Sequence, residues 1–301
     1  MIQTVSVVIP TVGRASLRRA VQSVLAQTYP VAEIIVVADT DESVSVAPDD
    51  RIIVCRTEVT SGPARCRQIG IDLAQGGVIA LLDDDDEWEP TKLALQLGAV
   101  DSLRGQHWIA SSRTVVRGPG ARQRTWPRRL IQPGESISDY LFRFTDLGFG
   151  GAMLQTSTLC FPAELARAVR WDIHADEPHD EPSWLIRVQR AIPDVRVIQL
   201  PAALSTYNVM GYSVSRQRAD RTDEYIDWGL QYLARESPRV LGDYLCTSAV
   251  SAAVSARSLR GVRRSLTSGL RYGRPGPFAL LYALLNAARV ALRSLGVVPA
   301  G

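Results

Sequence analysis

Residues 79–88 read IALLDDDDEW, an apolar run that meets four consecutive carboxylates, Asp83, Asp84, Asp85 and Asp86. Carboxylates so spaced repel one another, which raises the pKa of some members unless a cation or basic side chains compensate. The run before them, Val78 to Leu82, has the continuous apolar character of a strand buried on both faces. The carboxylates therefore stand where a buried strand ends, and in open α/β sheets ligands bind at that edge. Asp83 and Asp85 project to one side if the extended conformation persists. Oxygen ligands on one side suit Mg²⁺ or Mn²⁺. The competing explanation is a solvated acidic turn ahead of a helix near Pro90, because Asp and Glu favour helix N-termini.

Upstream, strand-like and helix-like segments alternate. Val5–Ile9 is a β-branched run, and Leu17, Ala20, Val21, Val24 and Leu25 recur at helical spacing within 14–27. Ile34–Val37 and Ile52–Val54 read as strands, and 63–75 as a helix leading into Val78–Leu82. This alternation predicts an α/β fold with a parallel sheet and right-handed crossovers. Downstream the regularity breaks down. Residues 104–135 hold seven arginines and read as an exposed hairpin or loop. Residues 152–161 (AMLQTSTLCF) read as a strand, 180–191 as a helix, Val195–Ile198 and Ala203–Tyr207 as two short strands, and the chain from about Arg216 as helices.

At 301 residues, 46% hydrophobic and 22% charged, the chain has an ordinary globular composition and length enough for a full core. Met1-Ile2-Gln3-Thr4 leads straight into VSVVIP, with no signal-peptide pattern. Four scattered cysteines and three histidines fit neither a disulfide framework nor a His-based metal cluster, and a cytoplasmic protein without a nucleic-acid partner is expected. The net charge of +3 is uneven: Ser251 to Gly301 holds eight arginines and no acid, and the last acid is Asp243. Within that tail, 275–298 has an apolar stretch too short to span a bilayer. It reads either as a basic amphipathic helix at the membrane surface or as a helix packing on the rest of the chain or on a second subunit.

Three strand ends present polar groups along one sheet edge, as a nucleotide site requires: Pro10-Thr11 with Gly13-Arg14, then Asp39 in ADTDE, then the aspartate cluster. Five motifs in this order resemble the family 2 glycosyltransferases: VSVVIPTVGR, the LAQTYP helix exit at 25–30, IIVVADTDE, GPARCRQIG at 62–70 and LLDDDDEWEPTKL at 81–93. The resemblance covers about residues 4–215. It implies the GT-A fold, a Rossmann-like mixed sheet with flanking helices, here followed by a helical C-terminal region. Its implied domains are a catalytic 1–215, split into a nucleotide-binding 1–103 and an acceptor-binding 104–215, and a helical 216–301.

Roles follow position by position. The resemblance places Pro10, Thr11 and Arg14 at the nucleotide. It makes Asp39 the residue that bonds the base, favouring uridine or thymidine, with a turn-stabilising Asp as the alternative. Arg67 would offset diphosphate or aspartate charge, unless it is a surface helix Arg. Asp83 and Asp85 match the D-x-D pair, with Asp85 the principal metal ligand and Asp83 both metal- and nucleotide-linked. Asp84 fills the middle position near the nucleotide, and Asp86 would touch the acceptor or lie behind the metal ligands. Trp88 and Pro90 would shape the turn.

DEPSWLIR at 180–187 resembles the family's E-D-x-x-W-x-x-R segment with the acids reversed. Glu181 takes the general base's place with Asp180 as substitute, and Asp176 and Glu177 are rivals. Trp184 would line the acceptor pocket or be core, and Arg187 would pair with the acids or with phosphate. LSTYNVMGYSVSR at 204–216 resembles Y-R-x-H-x-x-S-x-S, with Asn208 and Met210 where the family has Arg and His; Ser213, Ser215 or Arg216 would compensate. The implied activity is inverting, metal-assisted transfer from a nucleotide-diphosphate sugar to an acceptor hydroxyl. The rivals are a nucleotidyltransferase, for which PTVGRAS is a poor phosphate loop, and a non-catalytic membrane-associated nucleotide-sugar-binding protein.

Overall fold

The computed structural model describes residues 3–58, 60–103, 105–118, 123–148, 151–171, 177–209 and 219–294. Two compact units form, residues 1–135 with 152–211 and residues 136–151 with 212–301. The expected boundary at 215/216 lies outside the described residues, and 136–151 groups with the C-terminal helices.

In the first unit, all seven residues of β1 (Val5–Thr11) are buried, as uninterrupted Val/Ile character demands of a strand covered on both faces. α1 (Leu17–Leu25) buries Leu17, Ala20, Val21 and Val24, the helical stripe legible in the sequence. β2 (Glu33–Ala38), β3 (Ile52–Arg56), α2 (Gly62–Leu73) and β4 (Val78–Leu81) complete the regular part, with β3, β2, β1 and β4 adjacent and parallel. α2 lies so close to the sheet that a Cβ on Gly70 would stand 2.3 Å from a Val8 methyl. The glycine ending GPARCRQIG is thus required by packing.

Next come β5 (Glu87–Trp88), α3 (Lys92–Ala99), β6 (Trp108–Arg117) and β7 (Arg124–Trp126), and then α4 (Ile137–Phe142), which belongs to the second unit. The first unit closes with β8 (Cys160–Pro162), α5 (Ala163–Ala168), α6 (Asp180–Ala191) and β9 (Arg196–Asn208). The sheet runs β3-β2-β1-β4-β8-β6-β9-β5, with β7 on β6. It turns antiparallel at β4–β8 and β8–β6, returns to parallel at β6–β9, and is mixed overall.

Three expectations need correction. The arginine-rich 104–135 segment does contain a hairpin, but its first arm β6 is an interior strand, buried from Trp108 to Ser112. The two short strands at 195–207 are one strand, β9, with register shifts against Ser112–Thr114 of β6. Residues 152–161 are not a strand throughout. Thr156–Thr158 is a 3₁₀ turn, and the ladder begins only at Cys160. Thr158 returns both its N–H (2.9 Å) and its hydroxyl (2.6 Å) to the Gln155 carbonyl, the local bonding by which Ser and Thr displace a ladder.

The second unit joins α4 to α7 (Thr222–Leu233), α8 (Pro238–Ser255), α9 (Leu259–Tyr272) and α10 (Pro277–Ser294). The Phe142 ring packs edge-on against Trp228 (5.4 Å) and Tyr244 (5.1 Å). Asp243 is fully buried, and it accepts from Phe144 N (2.9 Å), Arg239 Nε (2.8 Å) and Gly276 N (2.7 Å). The last acid of the chain thereby fixes the entry to α10. That helix turns small residues inward, with Ala279 and Ala283 buried against Cys246, Val250 and Val262. Leu280, Tyr282 and Val290 also face the core, whereas Phe278, Leu281, Leu284, Leu285 and Leu292 point out, each 42–57% exposed.

Candidate functional site

Beyond β4 the chain does not stay extended. Asp86 N donates to Asp83 O (3.1 Å), closing a turn over the four aspartates. The turn still sorts them. Asp84 and Asp86 are buried, whereas the side chains of Asp83 and Asp85 are 25% and 33% exposed.

Asp84 joins two strand ends. It accepts from Thr11 Oγ1 (2.6 Å) and Arg14 Nη1 (2.9 Å), and the same Arg14 nitrogen reaches Asp85 Oδ2 (2.8 Å). Gly13 N donates to Thr11 Oγ1 (3.0 Å), and Gly13 has φ +85°, a conformation that favours glycine. Burial raises the Asp84 carboxyl pKa, against the pull of Thr11 and Arg14. Burial, with Asp83 beside it, raises that of Asp85, and Arg14 opposes the shift. Asp86 accepts from Ser157 Oγ (2.7 Å), Gln155 Nε2 (2.7 Å) and Asn208 N (3.0 Å), and burial pushes its carboxyl well above the usual range. Asp84 and Asp86 are anchors inside the protein rather than open ligand groups. Pro10 is likewise buried within β1, paired in register with Val37.

Asp39 follows β2, and its two carboxylate oxygens accept from Ser61 N (3.0 Å) and Gly62 N (2.9 Å) at the start of α2. That is the turn-stabilising arrangement, and it sets α2 against the sheet edge. Arg67, one turn into α2, is no surface residue. It is 5% exposed, bonds Asp83 Oδ1 through Nη2 (2.6 Å), and bonds Asp180 Oδ2 through Nη1. The guanidinium so joins the aspartate turn to the start of α6.

Asp180 also accepts from Trp171 Nε1, and burial lifts its carboxyl to about 6 although Arg67 opposes the shift. Glu181 uses Oε1 to accept from Thr156 Oγ1 and Thr156 N. Among the described residues its Oε2 accepts no hydrogen bond. Trp184 is core: it is fully buried, stacks on Trp171 at 4.4 Å, and donates to Val169 O (2.8 Å). Arg187 Nη2 donates to Arg170 O (3.1 Å). Asp176, Met210, Ser213, Ser215 and Arg216 lie outside the described residues.

Sequence reading missed Gln155, Thr156, Ser157 and Asn208. Asn208 was read only as a departure from the family pattern, yet its Nδ2 donates to Asp85 O (2.8 Å). The signal for the others was QTST itself, four polar residues inside an apolar run.

No group of three or more His, Cys, Asp and Glu side chains is arranged to hold a metal ion among the described residues. The outward pair Asp83 and Asp85 offers two hard oxygen donors. That donor set fits a divalent cation taking its other ligands from phosphate and water, as Mg²⁺ commonly does.

Residues 6–157, about half the chain, match the family model "Glycosyl transferase family 2". An amylovoran biosynthesis glycosyltransferase of Erwinia amylovora, AmsB, is 27% identical over 78% of this chain and 78% of its own. A putative colanic acid biosynthesis glycosyl transferase of Escherichia coli K12, WcaA, is 30% identical over 48% of this chain and 60% of its own. A crystal structure of a segment of S. aureus TarS with UDP-GlcNAc matches at TM-score 0.59 and 13% identity, covering 97% of this chain and 92% of that one. That likeness establishes the GT-A fold. On the family match, this chain belongs to glycosyl transferase family 2.

Proposed function

We propose that the protein transfers a sugar from a uridine or thymidine diphosphate sugar to an acceptor hydroxyl with inversion, Glu181 acting as general base. The observation that carries this is Arg67. It binds the outward D-x-D residue Asp83 with one nitrogen and the base segment at Asp180 with another, so donor-side and acceptor-side carboxylates share one rigid site. Asp180 is engaged by Arg67 and Trp171, whereas Glu181 keeps an oxygen for an incoming hydroxyl. Glu181 takes the hydroxyl proton as the oxygen attacks the anomeric carbon from the side opposite the departing diphosphate. One displacement inverts configuration and needs no covalent enzyme intermediate. Arg14 and Arg67 offset negative charge around the diphosphate. Asp83 and Asp85 would hold Mg²⁺ or Mn²⁺, which when bound neutralises charge on the leaving diphosphate.

Family membership favours this over nucleotidyl transfer, and so does the UDP-GlcNAc held by the TarS fold relative. Incubating the protein with UDP-N-acetylglucosamine or UDP-glucose and Mn²⁺ is expected to release UDP and no pyrophosphate. Asp85→Ala is expected to lose that release. Pyrophosphate as product, or an Asp85→Ala variant as active as the parent, overturns the reading.

The partner surface follows from the second unit. No helix among the described residues is long and apolar enough to cross a membrane. α10 instead carries large apolar side chains outward, and Leu270 and Tyr272 of α9 are also exposed, in a region rich in arginine and devoid of acid. In a symmetric dimer through this face, like-charged patches would meet, which disfavours the homodimer alternative. An anionic bilayer surface satisfies both the apolar and the cationic character. The protein is therefore read as peripheral to the inner face of the membrane. Full-length protein is expected to co-sediment with phosphatidylglycerol vesicles and not with phosphatidylcholine vesicles, and to lose binding in Leu281→Gln/Leu285→Gln. Equal recovery with both lipids, or none with either, removes the membrane partner.

A further inference from the structure

The turn at 155–158 lies inside the first unit and bonds both acidic segments of the site, the aspartate turn and the start of α6. Gln155, Thr156, Ser157 and Thr158 are all buried. Thr156 gives its hydroxyl and its N–H to Glu181 Oε1. Ser157 Oγ donates to Asp86 Oδ2 (2.7 Å) and accepts from Asp83 N (3.0 Å). The turn is clamped from behind. Trp88 Nε1 donates to Ser157 O (2.7 Å) and Gln96 Nε2 to Thr158 O (2.7 Å). Lys92, itself buried, bonds Gln96 Oε1 (2.7 Å) and sits 4.1 Å from the centre of the Trp88 ring. Three residues of the E-W-E-P-T-K-L-A-L-Q stretch, Trp88, Lys92 and Gln96, are thus spent around a turn far away in sequence, and that turn bonds Glu181 and the aspartate segment.

We propose that Thr156 is the positioning residue for the base, and that the 155–158 turn fixes Glu181 relative to the Asp83–Asp86 turn. This rests on the reading of Glu181 as base. Buried polar side chains bonded to one another resist rearrangement, because breaking any of these bonds leaves a buried group without its partner. The Thr156 hydroxyl cannot be merely space-filling, since it is aimed at the carboxylate oxygen.

The test uses full-length protein, UDP-N-acetylglucosamine or UDP-glucose, Mn²⁺, and water as acceptor, with UDP release as the readout. Thr156→Val keeps the shape and deletes the donor; Thr156→Ser keeps the donor. Thr156→Val is expected to lower kcat by about 10-fold or more, the size of a hydrogen bond to a charged group, with KM for the donor changed by less than about twofold. Thr156→Ser is expected to restore kcat. Should the valine variant not fold, Thr156→Ala replaces it with the same expectations. Parent-like kcat in the donor-deleted variant, or a KM for the donor that rises in step with the fall in kcat, overturns the inference, as does a serine variant that falls as far as valine. The base reading fails separately, through Glu181→Gln retaining parental turnover or through no UDP release by the parent with either donor.

Discussion

Glu181→Gln is expected to lower the rate of UDP release by about 10²–10⁴-fold, the range typical of losing a general base, while leaving UDP binding intact. The substitution is nearly isosteric. A glutamine carbonyl can still accept from Thr156, so the turn keeps its shape and only the proton acceptor is lost. Asp180→Asn provides the contrast. Asp180 is bound by Arg67 and Trp171, and burial places its carboxyl at about 6, above the ordinary carboxylate value. As pH falls through that value Asp180 protonates and its hold on Arg67 weakens. Parent activity is therefore expected to fall with an inflection near pH 6. Asp180→Asn is expected to be slower than the parent above about pH 6, to approach it at lower pH, and to lose that inflection. If Asp180→Asn proves the more damaging change at equal UDP affinity, the two acids exchange roles.

Much of this candidate site was legible in sequence because its N-terminal half is local. β1, β2 and β4 announce themselves as uninterrupted Val, Ile and Leu, and the polar residues that follow them must lie along one edge of a parallel sheet. Asp83 and Asp85 were placed by that logic alone, although a turn rather than an extended strand sorts them from Asp84 and Asp86. The reading failed where placement depends on partners distant in sequence. Trp184 belongs to the core because Trp171 stacks on it, and nothing within DEPSWLIR reveals that contact. QTST scans as strand because its neighbours are apolar; its hydroxyls turn it aside only once Asp83, Asp86 and Glu181 are near. Asn208 stands where the family pattern has arginine, yet the backbone of its strand end still reaches Asp86. The outward leucines of α10 were visible as hydrophobicity but not as exposure. Which face of an all-round apolar helix is covered is settled by Ala279 and Ala283 packing on α8 and α9.

Arg67→Met is expected to destabilise the protein by about 3–5 kcal/mol, the range for removing one partner from a buried ionic pair. Two carboxylates lose their counter-charge together. Asp83 retains some solvent, but Asp180 is largely enclosed, its side chain 19% exposed. Methionine roughly fills the volume and keeps contact with Trp171, so the loss is electrostatic rather than a cavity. The pH dependence follows from the raised Asp180. Its folded value, about 6, exceeds the ordinary 3.8, so the folded state binds the extra proton between those values. The stability this group contributes is therefore present at low pH and declines as pH rises through that window. Without Arg67 the folded value rises further and the decline extends to higher pH. The gap between parent and variant is thus expected to be widest above pH 7, to narrow as pH falls toward 6, and to level off below it. Urea unfolding of both proteins at pH 8 and pH 5 measures it. A gap that does not change with pH would assign the cost to packing against Trp171 instead of to the shared charge. In that case Arg67 would cease to be the element that ties the donor-side aspartates to the base.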